Sequence, residues 1–492
     1  MFKDRKLHIR ACLIFLGILG FTSLGWWVSY LANNFNLSSW LLIVIICAGV
    51  TFPIFLLFNE KFIITLVFLA LAYPYRLRIP IGPLNSFTLV EILLVAAWVA
   101  ILVRRIFIAK NLTYVNRNIR SSLHFQALDL TIFVYSGIGL LSLIWAASIP
   151  LAIRGLIVVF ENVAFYYLIV VVTYFLPEQT KYLNRLFIGL GIFAISLSIL
   201  FFFGGFSFLD ILPPESGQEL LSVKTRLGSP AWGRSNYFAS ALLLFLPTYV
   251  SLAFLSPRLR NQIGFGVIAV ISIAVFVFTW SRGGYIALAI ALLVLFFLFI
   301  WNGKLTLGKI LFFIFSIILF GLSFSLAIDY MVKFNPIAIS GIDRLLSLND
   351  QNIQARLLAW SGVWDYVTKN VLGVGLGNSS LLEHLLTIAN AHNAYLQILL
   401  ETGWIGITIL FFLLGFMFKE NITLFRHLKG TIYEPLGYGL LASFVAVLVN
   451  IAFESSFEGV IFGWLFWTTQ GLVRMLNNAS FNGDNSWQKE VG

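Results

Sequence analysis

The sequence predicts an all-α integral membrane protein, a polytopic bundle of about 12–14 transmembrane helices with a long outer loop carrying a short amphipathic helix. Three observations predict it. The 492 residues are 60% hydrophobic and only 11% charged, with a mean hydropathy of +0.93. Apolar runs of about 18 residues or more, long enough to cross the hydrocarbon core, recur along almost the whole chain. The basic residues collect in alternate short connections, as the positive-inside rule requires of a multi-pass protein.

Taken in order, the apolar runs place helices near 11–32, 39–58, 61–75, 86–103, 129–147, 154–176, 186–203, 235–255, 263–280, 283–301, 310–331, 393–418, 436–453 and 459–474. The first follows Lys3, Arg5, Lys6 and Arg10 and carries Trp26, Trp27 and Tyr30, which reads as a retained signal-anchor helix with an interfacial belt. With the N-terminus inside, 21 of the 32 Lys and Arg fall on cytoplasmic segments, and both termini are cytoplasmic. The outer side then receives loop 204–234, the turn at Arg282, loop 332–392 and the acidic turn Glu454–Glu458. The division that follows is 1–203 as N-terminal transmembrane helices, 204–475 as a second transmembrane domain including loop 332–392, and 476–492 as a cytoplasmic tail, polar from just beyond Arg474.

Composition also excludes several classes. Cys12 and Cys47 both fall inside apolar spans, so neither a disulfide framework nor a thiolate metal site is expected. The net charge of +11 is spread over short loops with no basic domain, which points to the lipid bilayer as partner and not to nucleic acid. No histidine–carboxylate group has metal-ligand spacing. Gly303–Ile310 imitates a phosphate-binding loop but has Ile310 where Ser or Thr is required, and it joins two apolar spans.

Within the long outer loop, Trp360, Val363, Trp364 and Val367 repeat at helical spacing, predicting an amphipathic helix over 352–367. Gly373-Val374-Gly375-Leu376-Gly377 then reads as a flexible turn before the chain re-enters the membrane.

Charged groups at the ends of apolar spans are costly, and so they are the candidate functional residues. Arg282 stands between two spans and is followed by Gly283 and Gly284. Its guanidinium fork suits phosphate oxygens, and the plain alternative is an arginine snorkelling to headgroups. Arg226 and Arg234 flank a turn of glycine, proline and tryptophan; Arg226 is a second candidate phosphate ligand, and Ser235 or Asn236 a cap for the next helix. Arg356 is either a third cation of the site or a headgroup pin. His392 opens the helix at 393, where an imidazole suits general-base work on a hydroxyl. Asn393, Gln397 and Glu401 follow at a spacing of four, a polar stripe supporting the site from inside the bundle. Glu401 lies about 13 Å below His392 along the helix axis, too far for a dyad, and is expected to fix a neighbouring helix. Arg154 and Glu161 read as structural ion-pair partners of neighbouring helices.

With these motifs the chain resembles the O-antigen ligase and O-antigen polymerase superfamily of bacterial envelope enzymes. Four pieces carry the resemblance: Arg226 with Asn236; Ser281-Arg282-Gly283; Arg356 with Trp360 leading to Gly373-Val374-Gly375; and His392-Asn393 with Gln397, Glu401 and Gly403. The resemblance implies an inner-membrane glycosyltransferase with its active site facing the periplasm, using no cofactor, metal or nucleotide. Its donor would be an undecaprenyl-diphosphate-linked glycan and its acceptor a sugar or lipid-linked hydroxyl. By the same carry-over Arg226, Arg282 and Arg356 would bind the diphosphate, and His392, with Arg282, would be catalytic. Polymerase and ligase share these motifs and stay open as alternatives for O-antigen or exopolysaccharide. A transporter of the inorganic-carbon type on the same scaffold is the reading from another class.

Overall fold

Every predicted apolar run that lies within the described residues forms a helix. The computed structural model describes residues 60–72, 76–77, 87–108, 126–175, 180–204, 235–304, 351–382, 391–455 and 460–481, together with 306, 307, 310 and 325. The helices expected at 11–32, 39–58 and 310–331, with Arg226 and Arg234, lie outside them. The chain separates into two compact units, 1–70 with 74–111 and 71–73 with 112–492.

The first unit holds α1 (Glu60–Ala72) as far as Ala70, a two-residue antiparallel pair β1 (Arg76–Leu77) and β2 (Phe87–Thr88), and α2 (Leu89–Ile108). The second holds α3 (Ala127–Leu141), α4 (Ile149–Phe175), α5 (Thr180–Gly204), α6 (Ser235–Leu255), α7 (Leu259–Val277), α8 (Arg282–Trp301), α9 (Gln351–Lys369), α10 (Ala394–His427), α11 (Glu434–Asn450) and α12 (Val460–Phe481). Among the described residues, seven helices are long and apolar enough to cross a membrane. The protein is an all-α polytopic membrane protein. Helix α12 continues through Phe481, past Arg474, where the sequence suggested a tail.

Helix α6 is the innermost: every residue from Phe238 to Leu252 is buried. It packs on α11, α7 and α8. Between apolar helices in lipid, contact comes from close packing and a few interhelical hydrogen bonds. Gly439 of α11 shows the packing, since a Cβ there would sit 2.4 Å from the Thr248 Cα of α6. Asn450 Nδ2 donates to Ser240 Oγ at 2.6 Å between the same two helices, a bond of the kind worth about 0.6 kcal/mol. Helices α7 and α8 turn Ile263, Val267, Leu293 and Phe297 outward, the apolar face that lipid demands.

One end of the bundle is closed by a buried charge network. Arg474 of α12 donates to Glu420 of α10 at 2.7 Å, lies 3.6 Å from Asp129 of α3, and also donates to Gln126. Asn477 bonds the same Glu420, and Tyr167 of α4 donates to Asp129. Three helices are thereby tied through one guanidinium, and α4 joins them through Asp129. Glu161 is tied to a neighbouring helix, accepting from Trp464 Nε1 of α12 at 3.2 Å.

The amphipathic helix α9 forms as predicted, with one difference. Ala359, Val363 and Val367 are fully buried against the protein, whereas Leu357, Leu358 and Trp364 are exposed. Trp364 stacks obliquely on Trp404 of α10, 5.9 Å between ring centres.

Candidate functional site

The opposite end of the bundle gathers the candidate residues around a carboxylate that the sequence did not single out. Glu454 lies four residues beyond α11, its side chain only 6% exposed. Its Oε1 accepts from Asn236 Nδ2 at 2.5 Å and from Arg356 Nη2 at 3.2 Å. Its Oε2 lies 3.5 Å from His392 Nδ1. Arg356 also donates to the Phe453 carbonyl at 3.0 Å, so the guanidinium is gripped by two successive residues. Asn236 is therefore a ligand of Glu454 instead of a helix cap. Residues from α6, α9, the α10 entry and the α11 exit meet at one point.

Arg282 belongs to the same end through its backbone. Ser281 caps α8, its Oγ accepting from Gly284 N, and Arg282 is the first helical residue. A Cβ on Gly283 would sit 2.5 Å from the Phe453 side chain, so only glycine permits α8 to approach the Glu454 segment. The helices starting at Arg282 and Ala394 both bring positive N-terminal dipole ends here.

His392 and Trp280 are the only non-glycine residues with positive φ among the described residues, at 46° and 54°. Each stands two positions before one of these helices. A left-handed bulky residue is strained and persists only when its surroundings enforce it. Around His392 they do: Ala394 N donates to Ile451 O at 2.8 Å, Trp360 Nε1 donates to Ala391 O at 2.8 Å, and Asn393 Oδ1 caps α10 by accepting from Tyr395 N and Leu396 N. Asn393 thus fixes the entry of the helix, while Gln397 and Glu401 alone form the inward stripe.

Glu401 corrects a second expectation. It does not fix a neighbouring helix; it binds the glycine-rich segment that precedes α10. Helix α10 is broken at Gly403, φ 66° and ψ −164°, which strands backbone groups inside the membrane. Lipid offers them no partner, so protein must. Val374 N donates to Leu400 O, Gly375 N to Glu401 O, and Trp404 N to Val371 O, at 2.9–3.1 Å. Gly377 N donates to Glu401 Oε2 at 2.9 Å, and Gln397 Nε2 donates to Glu401 Oε1 at 2.9 Å and to Ser379 Oγ. On its far side the segment is stitched to the α3–α4 turn, Ala147 N to Val374 O and Ser148 N to Asn378 Oδ1. The expected flexible turn is therefore a pinned brace. Gly403→Ala should destabilise the protein by more than the about 1–3 kcal/mol of backbone strain, because its Cβ would meet the Val371 carbonyl oxygen. Thermal unfolding in detergent, against Gly415→Ala at an open helical position, measures the difference.

Beside this brace lies a cavity of about 330 Å³, bounded by α3, α4, α10, α12 and residues 376–380. Arg154, Asn162, Ser379, Gln397 and Glu401 contribute its polar wall; Leu410, Leu414, Met417 and Phe466 make its deep end apolar.

In comparison with known proteins, residues 267–411 match the O-antigen ligase family. That stretch contains Arg282, Arg356, His392, Asn393, Gln397 and Glu401, and leaves Glu454 and Asn236 outside. No curated protein sequence matches the chain significantly. Residues 267–411 of this polytopic membrane protein are thus similar to the O-antigen ligase family.

Proposed function

We propose that the protein is an inverting glycosyltransferase of the inner membrane, moving a glycan from undecaprenyl diphosphate to a sugar or lipid-linked hydroxyl at the periplasmic face. The observation that carries the reading is the meeting of Arg356 and His392 on Glu454, at the bundle end where α8 begins with Arg282. The periplasmic placement rests on the positive-inside charge distribution.

Each part has a role in the chemistry. The acceptor oxygen bonds to the anomeric carbon while the bond from that carbon to the diphosphate oxygen breaks. The electron pair leaves with the diphosphate, which becomes more negative as the bond lengthens. Guanidinium groups at Arg282 and Arg356, with Arg226 as a third, stabilise that growing charge. The hydroxyl proton passes to His392. Glu454 Oε2 stands 3.5 Å from His392 Nδ1, near enough for its charge to favour the ring as it takes up the proton at Nε2. Glu454 thus supplies the partner that Glu401 is too distant to be.

The reaction product identifies the variant of the activity. A deletion strain analysed by gel should show single repeat units on the acceptor if the protein is a polymerase, or long chains held on carrier lipid if it is a ligase. Unchanged glycans, with altered bicarbonate uptake, would overturn the reading in favour of transport. Complementation with His392→Ala should restore transfer poorly, by a factor of about 10²–10⁴ below wild type. Arg282→Lys should also be poor, since an ammonium lacks the bidentate fork.

A further inference from the structure

We infer that the cavity between α3, α4, α10 and α12 is a separate subsite that binds the hydroxyl groups of the acceptor glycan; the inference rests on the transfer reading above. At about 330 Å³ it lies at the low end of ligand-site volumes. Its walls carry two buried amides, Gln397 at 2% and Asn162 at 6% exposure. Each retains an amide oxygen with no hydrogen-bond partner. A buried acceptor left unmatched costs about 1–3 kcal/mol, so two such amides lining one cavity each hold an acceptor that a rotation of the amide would turn toward an incoming donor.

The rest of the lining narrows the ligand class. Glu401 adds carboxylate oxygens, each with further lone-pair capacity, and Ser379 and Ser380 add hydroxyls. Arg154 is the one Lys or Arg among the described lining residues, and Glu401 lines the same cavity. A diphosphate needs several cations and would be repelled by that carboxylate, whereas a polyol offers hydroxyl donors to its remaining lone pairs. Tyr135 and Trp467 add aromatic faces suited to the C–H faces of a sugar ring.

Position completes the argument. The cavity reaches Ala394, two residues from His392, on the side of α10 facing α4 and α12. None of its described lining comes from α6, α8, α9 or α11, the elements that assemble around Glu454. Donor and acceptor would then approach His392 from two sides of the helix that carries it.

The test uses the full-length protein in detergent, with Asn162→Leu, Gln397→Met and a plug at the rim, Ser380→Phe. The probe is the oligosaccharide released by mild acid from the host's own envelope polysaccharide, titrated by tryptophan fluorescence. Binding should saturate in the wild type and weaken about tenfold or more in each variant, the loss of about one hydrogen bond. In transfer assays the same variants should raise the acceptor KM and leave the donor KM within about twofold. Equal binding by wild type and variants, or no binding by the wild type, overturns the subsite even where transfer proceeds. A raised donor KM with an unchanged acceptor KM also overturns it, giving the cavity to the carrier lipid. Loss of the transfer reading would appear separately, as unchanged glycans in the deletion strain.

Discussion

Glu454→Ala should abolish glycan transfer and lower stability by about 1–3 kcal/mol, the cost of removing a buried acceptor from the donors around it. Two effects combine in one side chain. The chemistry fails because His392 loses the carboxylate 3.5 Å from its Nδ1 and Arg356 loses its anion. The fold suffers because Asn236, at the start of α6, and Arg356, on α9, each lose the carboxylate oxygen that accepts from them. Glu454→Gln separates the effects. It keeps an acceptor oxygen for Asn236 and should recover much of the melting temperature, while transfer stays lost because the charge facing Arg356 and His392 is gone. Gel analysis of complemented deletion cells and thermal unfolding of the purified variants provide the two readouts. Wild-type transfer by Glu454→Gln would remove the carboxylate from the mechanism.

The second large effect is expected at the opposite end. Arg474→Met leaves Asp129 and Glu420 facing one another without their shared cation, and should cost about 3–5 kcal/mol because this cluster is largely buried on both sides. Here the stability loss comes without a primary effect on chemistry, because no group of the Glu454 cluster is touched. Purified variant at low temperature should transfer glycan at close to the wild-type rate and then inactivate early on warming. Adding Glu420→Gln and Asp129→Asn should restore part of the loss, since the triple variant removes the unpaired charges together. A triple variant no more stable than Arg474→Met would show that the charges are not the cause.

The helices were legible in the sequence because each is delimited by local chemistry. Helix α6 has the bounds 235–255 that its apolar run prescribes, and α8 begins at Arg282 where the Ser-Arg-Gly-Gly turn interrupts the hydrophobicity. The Gly403 break was hidden for the opposite reason. Hydropathy is continuous through it, and what stabilises the break is a backbone segment about thirty residues earlier in the chain. Glu454 was hidden in the same way. Its three partners come from three other segments, and only tertiary structure joins them. A usable signal did exist: a carboxylate directly following an apolar span, on the side where Arg282 and His392 also end theirs. Charge at a span end was treated as informative for cations and the imidazole, and the same energetic argument holds for an anion.

The discontinuity in α10 divides the labour of the chain's longest described helix. The short piece ahead of Gly403 is fastened to the brace and bears Gln397 and Glu401 on the cavity wall; the long piece behind it runs down to the Arg474 anchorage. A saturation survey of this helix should therefore change character at a single residue. Upstream, tolerated side chains will be set by turnover, and downstream by lifetime in the membrane.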